Sequence, residues 1–371
     1  MQSKILLLVG GGHAHALFLE RWKKGNVSDT RLIVIDPHPK VPYTGMLPGF
    51  VAGHYDVDDL YINLKALTDA AGGEYIQERA VSIDADNNTV SVASGEKYSY
   101  DVLSVDVGIH SSINSIPGFG DHAVGAKPLT TYAQKWDEMC TGVASVEKKA
   151  CNIAVIGGGV AGVELTLAMR YRLQELGIDN SYITIIDRGS ALDKVGVRTK
   201  NFLLKKLQSA NIHLKENVNV ATIKSDAIVL QSGEEVTSDF TLGATGPQPY
   251  TWIQETGLPC THGYINVGST LQTEDYHNIF AVGDCAHFLP QPLVKAGVYA
   301  VREAPILHQN IVALLEGREL KHFKPQSDYL KLISLGEKSA AADKFGIMLH
   351  GKWLWQLKHH IDTSFMEKLR V

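Results

Sequence analysis

The chain has 371 residues, 44% of them hydrophobic, with 34 glycines and a formal charge of −5. That length buries a large core and points to two or three domains, while the acidic balance argues against nucleic acid as a partner. No apolar run approaches the roughly 20 residues of a membrane span, and the first apolar run leads so directly into a glycine turn that no signal peptide fits before it; the expected location is cytoplasmic.

Residues 4–9 (KILLLV) have the length of a buried parallel strand, and residues 14–22 (AHALFLERW) have the spacing of an amphipathic helix. Between them, Gly10 and Gly12 fill the first two positions of a G-x-G-x-x-G turn. One allows the tight turn, and the other lets backbone approach a pyrophosphate at the positive helix N-terminus, with His13 and Ala14 beside it. The third position, normally a glycine, is His15. A second apolar run, RLIVID, ends in Asp36, placed to accept from a ribose hydroxyl.

Residues 37–55 (PHPKVPYTGMLPGFVAGHY) are apolar and proline-rich. A β-rich stretch over 75–107 follows, with ADNNTV and ASGEKY as turns, and DVLSVDVG (101–108) closes it. The device then repeats. CNIAVIGGGVAGVEL carries an intact fingerprint at Gly157, Gly159 and Gly162, SYITIID ends in Asp187, and hairpin-like strands over 212–249 end in a glycine turn at Gly246. Two dinucleotide sites in an internal repeat are the leading inference, against a unit that is retained only as fold.

NIFAVGDCA (278–286) reads as a buried strand that delivers Gly283 and Asp284 to a loop, and residues 293–315 read as one long helix. Beyond it, 327–336 and 341–356 read as two strands and a following helix. In the tail, Leu354, Leu357, Ile361, Phe365 and Leu369 fall on one helical stripe flanked by Lys352, Lys358, His359 and Lys368. Such a stripe suits either a packing face, against the body or a second subunit, or a membrane interface. The cysteines, Cys140, Cys151, Cys260 and Cys285, show no C-x-x-C or zinc-type spacing, and no metal site is expected.

The ordered set GGG…Asp36, DVG, GGGVAG…Asp187, ATG and FAVGDCA resembles the pyridine nucleotide-disulfide oxidoreductases, flavoproteins with two dinucleotide-binding domains. The resemblance covers essentially the whole chain. It implies an α/β fold of two Rossmann-like domains, each with a β-meander, plus a small C-terminal α+β cap. The implied FAD domain takes 1–115 and 246–324, the NAD(P)H domain 116–245 and the cap 325–371. The disulfide-reducing members carry a C-x-x-x-x-C pair after the second strand, where this chain has no cysteine. GGGHAHALFL, PYTGMLPGFVAGHY and HHIDTSFMEKL are instead similar to type II NADH dehydrogenase-like flavoproteins of the kind also found fused to selenophosphate synthase.

On that resemblance, Asp284 bonds the ribityl chain of FAD, and Pro42, Tyr43, Thr44 and Gly45 lie over the flavin ring. Asp106 and Gly108 stand at the first cradle. Lys295 and Ala296 open the helix after the G-D motif, where dipole and lysine stabilise reduced flavin, and Glu164 stands near the nicotinamide. The plain alternatives are a wall residue for Tyr43, a solvated charge for Lys295 and a helix-start carboxylate for Glu164. Thr245 and Gly246 close the second cradle. Asp187 favours NADH through a free 2′-hydroxyl, whereas Arg188 next to it suits NADPH.

The implied reaction passes hydride from NADH to flavin and electrons to a small-molecule acceptor, quinone being favoured by the resemblance, without a redox-active disulfide. The stretch around Lys295 lacks the glutamine-containing quinone signature of the type II dehydrogenases, and the alternatives are a soluble flavin reductase and a low-turnover redox-sensing flavoprotein. A homodimer, or peripheral contact with the inner face of a membrane through the C-terminal helix, is consistent with the tail. Two expectations concern the histidines. A buried imidazole without hydrogen bonds costs about 1–3 kcal/mol, so His15 is expected to pair with the Asp106 side chain, directly or through one water. His13 is expected to face the flavin, as a proton-transfer group or as a plain packing residue.

Overall fold

The computed structural model describes residues 3–25, 27–111, 116–145, 150–178 and 180–371; the boundary expected at residue 115 falls outside them. Two five-stranded parallel sheets organise the chain. In the first, the strand Lys4–Val9 pairs on one side with Thr30–Ile35 and on the other with Val102–Val105, which pairs in turn with Ile279–Ala281. In the second, Asn152–Ile156 lies between Tyr182–Ile186 and Phe240–Gly243. Leu6, Leu7 and Leu8 are all buried, the mark of a strand covered on both faces, which is why its sequence is continuously apolar rather than alternating.

Register sets the chemistry. Val9 is level with both Ile35 and Val105, so Gly10, Asp36 and Asp106 emerge together at the carboxyl edge of the first sheet. Ile156 is level with Ile186 and Gly243, so Gly157, Asp187 and Ala244 emerge at the same edge of the second. Ligands of open parallel sheets bind in the crevice beyond that edge.

Each meander is a three-stranded antiparallel sheet, Ala80–Asp84, Thr89–Val92 and Lys97–Ser99 in the first half and Val220–Ile223, Ala227–Leu230 and Glu235–Thr237 in the second. The helix His13–Trp22 is buried over Ala14–Glu20 as well as Trp22, instead of showing one wet face, because the long helix Gly297–Leu315 covers it from outside. That long helix begins at Gly297; Ala296 is its N-cap and Lys295 precedes it in the loop.

The C-terminal part holds three antiparallel strands, Lys331–Leu335, Glu337–Lys344 and Ile347–Gly351, followed by the helix Lys352–Lys368. The single strand expected ahead of the helix within 341–356 is two, because Phe345 (φ 51) and Gly346 (φ 72) both take the left-handed conformation and reverse the chain in two residues. Among the described residues, no helix is long and apolar enough to cross a membrane.

Candidate active site

The two glycine turns share one construction. Gly10 (φ +93) and Gly157 (φ +115) need positive φ, and a Cβ on either would collide with the carbonyl of Asp106 or Ala244. Asp36 accepts from the Gly11 amide at 2.7 Å and the His38 amide at 2.8 Å; Asp187 accepts from Gly158 at 2.5 Å and Gly189 at 2.8 Å. Each acid is thus locked over its own turn. Burial raises the Asp36 carboxyl above its usual range. Arg188 is exposed beside Asp187, and Gly246 is exposed in the loop past the strand Phe240–Gly243, with Thr245 before it.

The third position of the fingerprint explains the first-turn histidine. In the second turn a Cβ on Gly162 would collide with the Gly157 carbonyl. In the first turn the His15 ring, fully buried, places Nδ1 2.7 Å from the Gly10 carbonyl oxygen and Nε2 2.8 Å from Ser104 Oγ. A carbonyl only accepts, so Nδ1 carries the proton and the Ser104 hydroxyl donates to Nε2. Burial pushes this imidazole down to about 4, and it stays neutral.

The expected pairing of the His15 and Asp106 side chains does not form. Asp106 Oδ2 accepts instead from the backbone amides of Ala14 (2.9 Å) and His15 (3.1 Å). Ser104, two residues earlier on the same strand face, reaches the ring first, while Asp106 at the strand end is level with the helix N-terminus.

His13 stands where two helix ends meet the segment 42–45. A Cβ on Gly297 would lie 3.1 Å from His13 Nδ1 and 3.6 Å from Thr44 Oγ1, so the amino ends of the helices His13–Trp22 and Gly297–Leu315 converge there. Tyr43, between Pro42 and the turn Thr44–Met46, stacks on Phe365 at 4.4 Å between ring centroids, and His13 stands edge-on to Tyr43 (5.3 Å) and Phe365 (5.9 Å). Burial pushes His13 down to about 4 and Tyr43 far above the usual phenol range.

The Tyr43 hydroxyl donates to Asp362 Oδ1 at 3.0 Å; Lys358 Nζ donates to Asp362 Oδ2 at 2.8 Å and to the Gly45 carbonyl at 2.7 Å. Close enough to interact electrostatically with Lys358 and Asp362, Glu164 accepts at Oε1 from the Ser334 amide at 2.6 Å. Burial pushes Glu164 up to about 7, with Lys358 opposing and Asp362 adding to the shift. Glu164 from the second fingerprint helix and Tyr43 from the first half therefore meet around one buried cluster supplied by the C-terminal helix.

Lys358 and Asp362 as a site pair, and the place of Phe365 over Tyr43, are absent from the sequence reading. The expected apolar stripe divides into two faces. Leu354, Met366 and Leu369 are buried, and Phe365 stacks on Tyr43, whereas Leu357 is 36% and Ile361 44% exposed. The only sequence signal for the inward face is the spacing of 354, 358, 362, 365 and 369, and the two charges in it read as a wet surface.

Beneath the cleft, Asp284 Oδ2 pairs with Lys127 Nζ at 3.0 Å, and the Gly283 amide donates to Glu303 Oε2 at 2.7 Å. Lys127 is a further residue that the sequence reading misses. Lys295 donates to the Ala286 carbonyl and lies 4.0 Å from the Tyr264 ring centroid, and burial lowers its ammonium. It is held by backbone and ring at the base of the G-D turn rather than standing free over the cleft. Cys285 is buried beside that turn, its thiol pushed up to about 12, and Cys140 and Cys151 are buried too. No group of three metal-ligating side chains occurs among the described residues.

These residues fit two dinucleotides. A Cβ on Gly159 would meet only open space, so the second turn is an open cradle at the N-terminus of the helix Val160–Glu175. The first has the same turn and acid, with the Asp106 carboxylate added inside it.

The profile of the family Pyridine nucleotide-disulphide oxidoreductase matches residues 5–304, and the chain belongs to that family. A type II NADH:quinone oxidoreductase of Staphylococcus aureus (strain NCTC 8325 / PS 47) is 23% identical over 389 residues, covering 99% of this chain and 96% of its own. The sulfide:quinone oxidoreductase of the hyperthermophilic bacterium Aquifex aeolicus superposes with a TM-score of 0.83 at 22% identity, over 99% of this chain and 91% of that one. NDH2 of Plasmodium falciparum, solved with NADH, superposes with a TM-score of 0.81 at 16% identity, over 98% of each chain. The chain is a pyridine-nucleotide-dependent flavoprotein oxidoreductase, with FAD and a nicotinamide dinucleotide as its cofactors.

Proposed function

We propose that this enzyme passes hydride from NADH to FAD and hands the electrons to a quinone-type acceptor without a thiol in the path. The observation that carries this reading is the cluster in which Glu164, Tyr43 and His13 meet Lys358, Asp362 and Phe365 of the C-terminal helix. It joins groups from both nucleotide-binding halves around a cleft with aromatic walls. No cysteine belongs to it. When bound, FAD supplies a ring that takes up hydride and releases electrons to an acceptor.

The chain's own residues orient and enclose it. Gly10, Gly12, His13 and Ala14 offer backbone and a helix N-terminus to its pyrophosphate, Asp36 a ribose acceptor, and Asp284 an acceptor for the ribityl hydroxyls with Lys127 balancing its charge. Pro42, Tyr43, Thr44 and Gly45 form the wall, with Asp106, Gly108, Gly283, Lys295 and Ala296 beneath and beside it. Gly157, Gly159, Gly162, Thr245 and Gly246 receive the NADH pyrophosphate. Asp187, acceptor-only and anionic, takes the ribose 2′-hydroxyl and repels a 2′-phosphate, which favours NADH over NADPH despite the exposed Arg188. Glu164, raised to about 7, can hold or release a proton at neutral pH, and His13, neutral, can hydrogen-bond where the two helix ends meet.

The similarity to NADH:quinone and sulfide:quinone oxidoreductases supports quinone as the acceptor class. Phe345, Ile347, Leu349, Trp353, Leu357 and Ile361 are exposed on the C-terminal hairpin and helix, near Lys344 and Lys352, which supports peripheral contact with a membrane surface; pairing with a second copy is the other use of that face. The deciding experiment is anaerobic mixing with NADH while flavin absorbance is followed, then addition of a soluble quinone. Bleaching by NADH and rapid quinone-driven recovery support the reading. Bleaching followed by recovery only with small proteins or other acceptors overturns the quinone assignment, and absence of bleaching overturns the dehydrogenase.

Two substitutions test the parts. Asp284→Ala removes a charged hydrogen-bond acceptor worth about 1.5–3 kcal/mol, so FAD should bind roughly 10- to 100-fold more weakly, read as flavin retained per chain after dialysis. Full flavin retention would remove Asp284 from the site. Replacing Cys140, Cys151, Cys260 and Cys285 by serine should leave NADH-driven bleaching within a few-fold. Three of the thiols are buried, and Cys285 already donates to the Val282 carbonyl at 3.2 Å, a bond that serine keeps. Selective loss of electron transfer with FAD retained would restore a thiol to the mechanism.

A further inference from the structure

The first phosphate cradle already contains a carboxyl group of its own. A Cβ on Gly12 would collide with the Asp106 carboxylate, and one on Gly283 would lie 2.5 Å from Asp106 Oδ1, whereas a Cβ on Gly159, the matching position of the second turn, meets nothing within 4 Å. Asp106 Oδ2 takes the amides of Ala14 and His15, in the first turn of a helix whose N-cap, Gly12, makes no side-chain cap bond. By register, the counterpart of Asp106 in the second half is Ala244. One dinucleotide cradle is therefore open, and the other has a carboxyl group seated between the glycine turn and the G-D turn.

We infer that Asp106 shares these amides with the flavin pyrophosphate and is held as the neutral acid whenever the pyrophosphate is in place, so that FAD binding takes up a proton wherever the carboxyl group of the FAD-free chain is ionised. The inference rests on the flavin assignment of the first half. Two anions against one helix end in a buried place repel, and the carboxyl group can shed its charge, whereas the diphosphate keeps its charge. As an acid, Asp106 gains a hydrogen-bond donor that a phosphate oxygen accepts, in a short charge-assisted bond. The proton comes from solvent, and nothing else changes hands.

The surroundings favour the neutral acid. Glu303 on the long helix, itself raised by burial to about 7, and Asp284 in the G-D turn face the group and, on top of its burial, raise it further. The nearby cations have other partners: Lys127 pairs with Asp284, and Lys295 donates to the Ala286 carbonyl. His15 and His13 are both pushed down to about 4, and the Cys285 thiol is pushed up to about 12, so all three stay uncharged. Burial raises Asp106 itself to about 8. A pyrophosphate alongside raises it further. Below about pH 8 the acid is already protonated and binding is pH-independent; above it a proton must be taken up and affinity falls with rising pH.

The test dilutes holoprotein across about pH 6.5 to 9.5 and reads released FAD by its fluorescence, for the unmodified chain and Asp106→Asn. Asparagine keeps an acceptor for the Ala14 and His15 amides but never ionises. The unmodified chain should hold a flat dissociation constant up to about pH 8 and lose about tenfold in affinity per pH unit beyond it, with proton uptake absent near neutral pH and approaching one per FAD at about pH 9.5 when binding is measured calorimetrically in buffers of different ionisation enthalpy. The asparagine variant should stay flat and bind more tightly at the alkaline end. Equal pH slopes in the two proteins, or no proton uptake by the unmodified chain at about pH 9.5, would overturn the inference; if the variant fails to fold, the proton count at that pH alone decides. Holoprotein that carries no FAD at any pH would overturn the flavin assignment itself, and the inference with it.

Discussion

Glu164→Gln should lower turnover by about 10²- to 10⁴-fold at neutral pH, leave FAD in place, and abolish an expected inflection near pH 7 in the turnover profile. The side chain reaches from the helix Val160–Glu175 to the Ser334 amide at 2.6 Å, and the amide oxygen of glutamine can accept that bond in its place. What the variant loses is the ability to gain and release a proton. A carboxyl group poised near 7 is present in both forms at neutral pH, the condition under which proton transfer is most effective.

The same shift predicts a stability signature. The folded chain holds the Glu164 proton to about 7, while the unfolded chain releases it in the usual carboxylate range. Between those values the folded state binds more protons, so stability falls as pH rises through the window and is constant above it. Glu164→Gln removes this slope and is the more stable protein on the alkaline side. Stopped-flow measurement of flavin reduction and reoxidation, with thermal melts at matched pH, separates the two effects. Unchanged turnover together with a flattened melt profile would reduce Glu164 to a buried structural carboxylate.

Local chemistry decided how much could be read from the sequence. The glycine turns, their terminal acids and the strands that feed them are short-range features, since a positive-φ glycine, an apolar run and an Asp one strand later are all visible without knowing what packs where. His15 is a halfway case. Its need for a partner follows from burial at a crowded turn, but Ser104 and Asp106 lie two residues apart on one strand face, and only coordinates place the ring at Ser104. The missing hairpin has a similar cause, because Phe345-Gly346 does the work usually given to Asn-Gly and gives no turn signal. Lys127 against Asp284, and Lys358 and Asp362 against Tyr43, join segments far apart in the chain, and no periodicity or motif relates them. In isolation each is an ordinary surface charge.

Lys358→Met should cost about 3–5 kcal/mol. The Lys358 and Asp362 side chains are only 13% and 6% exposed, one helical turn apart at 2.8 Å. Removing the ammonium leaves a carboxylate in a place built for a neutralised pair, with the Tyr43 hydroxyl as its remaining donor, and it also strips the Gly45 carbonyl of its bond. The penalty is that of the orphaned charge rather than of the pair. Lys358→Met with Asp362→Leu, which removes both charges and supplies apolar volume, should therefore regain most of the loss, and the two substitutions should be strongly non-additive. The pair also anchors the C-terminal helix, which carries Phe365 onto Tyr43 beside His13. Lys358→Met should accordingly expose the helix Lys352–Lys368 to limited proteolysis while the parallel sheets stay folded. It should also slow flavin turnover, because Phe365 and Tyr43 stand at the wall assigned to the flavin under the proposed function. A loss below about 1 kcal/mol would show that the pair behaves like an exposed one and that the helix is held by Leu354, Met366 and Leu369 alone.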